Sequence, residues 1–184
     1  MITFKKLLCF IPLFFLFSGC TKYYVLSTAS QPAEHFRQKN RVIGVEKVVV
    51  PKYLYKREIA VAKSNSEVRF LRSAVWAEDL DDGLTQRLIA FLQKKFNQPD
   101  VYAYPWGVDT NPALKVKVHI TRFIAQGENV YLDANFRVVN MKTQVGKAKL
   151  FSTVIATKED AQSIVAAMHK AFSELEEAIS SQIQ

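Results

Sequence analysis

Apolar side chains recur along the chain in two rhythms. Leu114, Val116, Val118 and Ile120 alternate with Lys115, Lys117, His119 and Thr121, and Val130, Leu132, Ala134, Phe136 and Val138 repeat the pattern after Gly127-Glu128-Asn129. A period of two puts alternate side chains on opposite faces of a strand, so these runs predict two half-buried strands joined at that glycine. Residues 149–157 predict one more strand, and shorter β-branched or aromatic runs predict strands at 23–26, 42–50, 56–63, 67–71 and 101–104. Pro51 closes the second of these short runs, Ser64-Asn65-Ser66 turns between the next two, and the polar stretch 27–40 with Pro32 predicts a loop.

The second rhythm is helical. Residues 79–96 place Leu80, Leu84, Leu88, Phe91 and Leu92 on one stripe, with Asp79, Asp81 and Asp82 in the first turn and Lys94 and Lys95 in the last. That charge order complements the helix dipole. After Asp160, a predicted N-cap, Ile164, Met168, Phe172, Leu175 and Ile179 form a second stripe. Strands, helix, strands, helix, with hairpin-like links among the strands, predict an α+β fold: a largely antiparallel curved sheet with two amphipathic helices packed on one face.

The front of the chain follows neither rhythm. Residues 7–17 carry no charge, follow Lys5 and Lys6, and end at Ser18-Gly19-Cys20. A basic, then apolar, then small-residue order is a secretory signal, and the run falls short of the roughly 20 residues that span a bilayer. Leu16-Phe17-Ser18-Gly19-Cys20 resembles the bacterial lipobox, with Phe17 where Leu is usual. The resemblance implies a signal peptide at 1–19, diacylglycerol on the Cys20 thiol, and a single mature domain at 20–184. An ordinary signal with an unrelated cysteine is the alternative. Thr21 rather than Asp follows Cys20; by the same resemblance, this implies sorting to the periplasmic face of the outer membrane. Cys9 would leave with the signal, so disulfides, thiolate catalysis and cysteine metal sites drop out.

Charge then divides the mature chain. Residues 20–72 hold 11 Lys+Arg and 4 Asp+Glu, whereas residues 73–184 hold 12 and 13. The basic half adjoins the anchor, which points to anionic headgroups or an acidic partner, a merely solvated surface being the alternative. No nucleic-acid recognition motif is present.

Chemistry is sparse. His35, His119 and His169 share no short spacing, so no metal motif forms. Glu78, Asp79, Asp81 and Asp82 precede Gly83 without the alternating oxygen ligands of a calcium loop, and helix capping accounts for them. No GxSxG, Walker, Rossmann or HExxH pattern occurs, which argues against an enzyme and against a cofactor. Aromatic positions remain. Trp76 is expected to pin the first helix to the sheet. Tyr53 and Leu54 after Pro51, and Tyr102, Tyr104 and Trp106 around Pro105, are candidates for a partner interface. Burial in the chain's own core is their alternative.

Four segments carry a family resemblance: Tyr23-Tyr24-Val25-Leu26, the run from Val42 to Leu54 with its Val50-Pro51 turn and Tyr53-Leu54 pair, Val75-Trp76-Ala77-Glu78-Asp79-Leu80 before the helix, and Leu114-Lys115-Val116-Lys117-Val118 followed by Phe123. In this order and spacing the chain resembles the PqiC-like ABC-type transport auxiliary lipoproteins. The resemblance implies a noncatalytic part in MCE-type lipid trafficking, with an MCE-domain periplasmic protein and its ABC permease complex as partners. By the same resemblance the MCE partners form rings, and because two predicted helices and one sheet are too little to enclose a channel, several copies of this chain are expected in a ring around the end of that tunnel. A stand-alone periplasmic lipid carrier is the second reading. Composition and periodicity by themselves support an exported, lipid-anchored, noncatalytic α+β domain.

Overall fold

The structure is a computed structural model that describes residues 20–35, 41–105 and 111–183. In chain order its elements are β1 (Lys22–Tyr24), β2 (Ile43–Glu46), a 3₁₀ turn (Lys52–Tyr55), β3 (Glu58–Ala62), β4 (Val68–Trp76), α1 (Leu80–Phe96), β5 (Val101–Tyr104), β6 (Leu114–Gln126), β7 (Asn129–Asn140), β8 (Gly146–Ala156) and α2 (Ala161–Ser180). The α+β expectation holds.

All the described strands join one mixed sheet. The long pairings, β6 with β7 and β7 with β8, are antiparallel, as is β3 with β4. The parallel pairings are short: β1 with β4, β5 with β2, and β2 and β3 each with β6. By paired length the sheet is therefore largely antiparallel. Gly127 stands at φ +55° at the start of the two-residue loop between β6 and β7, a conformation that glycine adopts without a Cβ penalty.

Alternation along β6 changes phase once. Leu114, Val116, Val118 and Ile120 are buried, the register then shifts between Ile120 and Arg122, and beyond it Phe123 and Ala125 take the inward places. A β-bulge inserts one residue and so flips the side chains that follow.

Both helices cover one face, α1 over β2 and β5, α2 over β6, β7 and β8. The predicted stripes are the ones buried: Leu84, Leu88 and Leu92 of α1, and Ile164, Met168, Phe172, Leu175 and Ile179 of α2, are each at most 2% exposed. Asp160 caps α2 by accepting from the Ser163 N–H at 2.9 Å. Asn97 ends α1 in the left-handed region.

Several boundaries differ from the sequence expectation. The strand expected at 42–50 ends at Glu46. Its next donors go to α1 instead of a neighbouring strand: the Val48 N–H to Thr85 Oγ1 at 2.9 Å, and the Lys47 ammonium to Asp81 and Asp82 at 2.8 and 2.7 Å. Those two acids thus pair with Lys47, and Asp79 caps α1 through its carbonyl without a side-chain hydrogen bond. The chain regains β6 at Val49, opposite His119, and leaves it again through the 3₁₀ turn. The expected 67–71 strand runs on to Trp76 because β1 and Glu58 both pair with its far end. Strand β1 spans Lys22–Tyr24 instead of 23–26, β3 spans Glu58–Ala62 instead of 56–63, and β8 begins at Gly146 instead of 149.

Candidate functional site

Cys20 is exposed at one corner of the molecule. Thr21 alone separates it from β1, an edge strand held along its β4 side. Lys22, Tyr23 and Tyr24 pair with Ala74, Val75 and Trp76, and the Ala77 N–H donates to the Tyr24 carbonyl at 2.8 Å. The Arg57 guanidinium donates to the carbonyls of Trp76 and Ala77, both at close to 3 Å. Trp76 is 2% exposed where β4 leads into α1, as expected of a residue pinning that helix to the sheet.

Tyr53 and Leu54 sit together on the 3₁₀ turn, with Leu54 in the core at 2% exposure and Tyr53 half-buried. The turn occupies a gap in the edge of β6. Val49 pairs opposite His119 and Val61 opposite Ala125, so no strand partner meets the Phe123 N–H between them. That N–H donates to the Tyr53 hydroxyl at 3.1 Å. The phenol stands in for a missing strand, and burial holds its pKa above the ordinary tyrosine value.

Tyr102 and Tyr104 lie on β5, both half-buried. The Tyr102 hydroxyl donates to the Asp100 carboxylate at 2.9 Å, which raises the phenol pKa. The Lys115 ammonium lies 5.2 Å from the centre of the Tyr104 ring, and both Lys115 and Lys117 pair with Glu46. Tyr104 approaches β2 closely: a Cβ on Gly44 would stand 3.1 Å from its side chain. Trp106 lies outside the described residues. The two candidate clusters are not brought together. β5 pairs with β2, which meets β6 at Leu114–Val116, and Tyr53 meets Phe123, roughly 25 Å further along β6.

A buried polar cluster joins the two helices. Arg87 of α1 and Glu176 of α2 are both fully buried and form a two-pronged ion pair, Nε to Oε1 at 3.1 Å and a terminal nitrogen to Oε2 at 3.0 Å. The same guanidinium donates to His169 Nδ1 at 2.9 Å, to the Ser173 hydroxyl and to the carbonyls of Leu26 and His169, and it lies over the Phe172 ring. Ser30 donates to Glu176 from the N-terminal segment at 2.6 Å. His169 is held neutral, its pKa pushed down first by burial and then by the Arg87 charge. Neither ionic partner belongs to a sequence motif, although the pattern carries a signal for both. Arg87 falls between Leu84 and Leu88 on one stripe, and Glu176 between Phe172 and Ile179 on the other. Among the described residues no group of three or more His, Cys, Asp or Glu could hold a metal ion, and no helix is long and apolar enough to cross a membrane.

A family model for the ABC-type transport auxiliary lipoprotein component matches residues 24–180. The chain belongs to this family. The match runs from the last residue of β1 to the end of α2, and it covers three of the four resembling segments whole and the first from Tyr24 onward. Members are noncatalytic auxiliary components of ABC-type transport, which agrees with the absence of catalytic motifs in the sequence. The family fold is similar to that of two crystal structures. One, of an uncharacterized protein, is 20% identical with a TM-score of 0.74, covering 90% of this chain and 99% of that one. The other, from Xanthomonas campestris, is 15% identical with a TM-score of 0.75, covering 89% and 95%. Comparison with curated proteins finds no match.

Proposed function

We propose that this family member is a noncatalytic lipoprotein, anchored through Cys20 to the periplasmic face of the outer membrane. There it serves as the auxiliary component of an MCE/ABC-type intermembrane lipid transport system. The family match over residues 24–180 carries this reading. Two further facts support it. The lipobox-like residues stop at Cys20, and Cys20 lies exposed with only Thr21 between it and β1. On this reading residues 1–19 are the signal peptide and 20–184 the mature domain.

The partners are an MCE-domain periplasmic protein and its ABC permease complex, with several copies of the lipoprotein arranged as a ring at the tunnel end. The two helices and one sheet of the described residues are too little to enclose a channel, so copies must combine if they are to line one. The candidate contacts are Tyr102 and Tyr104, with Trp106 two positions further along the chain, and the Tyr53-Leu54 turn; of these, Leu54 reaches a partner through its backbone, since its side chain is in the core. The stand-alone carrier reading finds less support. The space between helices and sheet is filled by side chains from Leu26 to Ile183, including Trp76, Phe91, Phe96, Phe123 and Phe172.

Fractionation and co-purification test the proposal. The wild-type chain is expected in the outer-membrane fraction, released by detergent, with an intact mass that lacks residues 1–19 and carries acyl chains. Cys20→Ala is expected in the soluble periplasmic fraction. A Cys20→Ala chain that still needs detergent would refute the anchor. Failure of the wild type to co-purify with a co-expressed MCE-domain protein and permease would refute the transport role.

A further inference from the structure

The corner that carries Cys20 has a chemistry of its own. Thr21, Tyr23, Tyr55, Lys56, Arg57 and Arg72 line one shallow concavity, together with Val75 and a single acid, Glu58. Tyr23 is 68% and Tyr55 57% exposed, and among the described residues they are the only large aromatic side chains left so open. Both stand on this one surface, although more than 30 residues separate them in sequence. Lys56 and Arg72 are exposed and make none of the ion pairs among the described residues, and Lys22, between Thr21 and Tyr23 in the chain, is exposed in the same way, whereas Lys47, Arg87, Lys115 and Lys117 are taken up by carboxylates.

We propose that this concavity is a docking surface for the anionic headgroup layer of the membrane that holds the anchor. The inference rests on Cys20 being acylated, as set out above, and adds an orientation to it. Three extended residues reach about 10 Å, so an acylated Cys20 leaves Tyr23 within about one Debye length of the headgroups. Tyrosines favour that depth, where the ring meets apolar carbon and the hydroxyl meets water, and unpaired Lys and Arg are drawn to anionic lipid. β1 is locked into the sheet through Ala74–Trp76, so the tether cannot lengthen without breaking strand pairing. The anchor therefore sets the tilt of the whole domain. It turns the β1–β4–β3 corner to the leaflet and directs β8, at the opposite edge of the sheet, away from it.

The test uses the processed, lipidated protein in vesicles of phosphatidylcholine alone or with phosphatidylglycerol, some lipids bearing a nitroxide quencher near the headgroup. A fluorophore is placed at Ser73→Cys, exposed on β4 beside the concavity, or at Leu150→Cys on β8. Quenching at position 73 is expected to exceed that at 150 severalfold when phosphatidylglycerol is present. It is expected to fall to the level of position 150 in the Lys56→Glu/Arg72→Glu variant, and to weaken with salt. Equal quenching at the two positions overturns the proposal. So does quenching at 73 that ignores both phosphatidylglycerol and the charge reversal, which would leave an acidic protein as the partner of these cations. Intact mass separates this failure from that of the anchor: a chain without acyl groups on Cys20 overturns the attachment itself, and this surface with it.

Discussion

The two sides of β6 are built on different terms. On one side β7 runs antiparallel to it over nearly its full length, and β8 continues the ladder. On the other side the same strand is met in pieces: three residues of β2, a lone bridge at Val49, a phenol hydroxyl, and two residues of β3. The regular side is a continuous antiparallel hairpin sheet under α2. The broken side, under α1, carries β1 with its adjoining Cys20, the Tyr53 turn and β5 with its tyrosines. It also holds most of the net positive charge, since residues 20–72 have 11 basic and 4 acidic side chains. Interruptions in a ladder free backbone and side chains to face outward, and in this fold every candidate contact among the described residues lies on the interrupted side.

The Arg87–Glu176 pair bridges the two halves, because α1 rides on one and α2 on the other. Breaking it should produce the largest effect. Arg87→Met leaves a fully buried carboxylate without its partner, an expected loss of about 3–5 kcal/mol in chemical denaturation. Arg87→Met with Glu176→Leu should recover most of that loss, since a packed apolar pair removes the unpaired charge. A double variant no more stable than the single one would show that the cluster's other hydrogen bonds, and not the charge pair, unite the halves.

On the broken side Leu54 and Tyr53 divide the work of one turn. Leu54→Ala should cost about 2–5 kcal/mol as a buried truncation. Tyr53→Phe should cost about 1–3 kcal/mol, because the Phe123 N–H is left with no acceptor where the strand is missing. Faster amide exchange confined to Phe123 in Tyr53→Phe would confirm that substitute bond; unchanged exchange there would refute it.

These two residues also mark what was legible. The sheet's regular side could be read from alternation, since each inward residue of β7 from Val130 to Phe136 is buried as its period demands. The break after Glu46 could not, because it depends on where the donors of Lys47 and Val48 go, and Asp81, Asp82 and Thr85 lie more than 30 residues away. Likewise β4 reads as a short strand until β1 and Glu58 supply partners for its far end. Arg87 and Glu176 were legible in principle: opposite charges on two apolar stripes call for each other once the helices are known to touch. The corner beside Cys20 was half legible. Its charge was visible along the chain, but the meeting of Tyr23 with Tyr55 depends on the fold.

A smaller effect concerns acidity at the junction of the halves. Arg87 donates to His169 Nδ1, which fixes the neutral imidazole with its proton on Nε2. Its native pKa lies below the ordinary 6.5. The unfolded chain therefore takes up a proton that the native one refuses as pH falls through about 6.5, and stability drops with it. His169→Asn should flatten the fall in stability between pH 7 and the lower native pKa, measured by denaturant titration at each pH. An unchanged slope would assign the acid sensitivity to other groups.

The smallest effect is expected at the far edge of the regular side. Leu150 is 89% and Val154 52% exposed on β8, whose outer edge has no strand partner among the described residues. Truncation there removes little that folding had buried, so Leu150→Ser should change the stability of the isolated chain by about 0.5 kcal/mol or less. Leu54 is the opposite case, an equally apolar residue whose side chain lies in the core. An exposed leucine on an open strand edge is a liability that proteins usually blunt with charge, and Lys147 and Lys149 precede this one on the same strand. A loss above about 1 kcal/mol in dilute solution would mean that Leu150 is covered in the native state, and that the regular half is not closed on its own. Unchanged stability leaves β8 contributing nothing through this side chain to the monomer, so that any dependence on Leu150 must be sought in what the edge contacts once copies or partners are present.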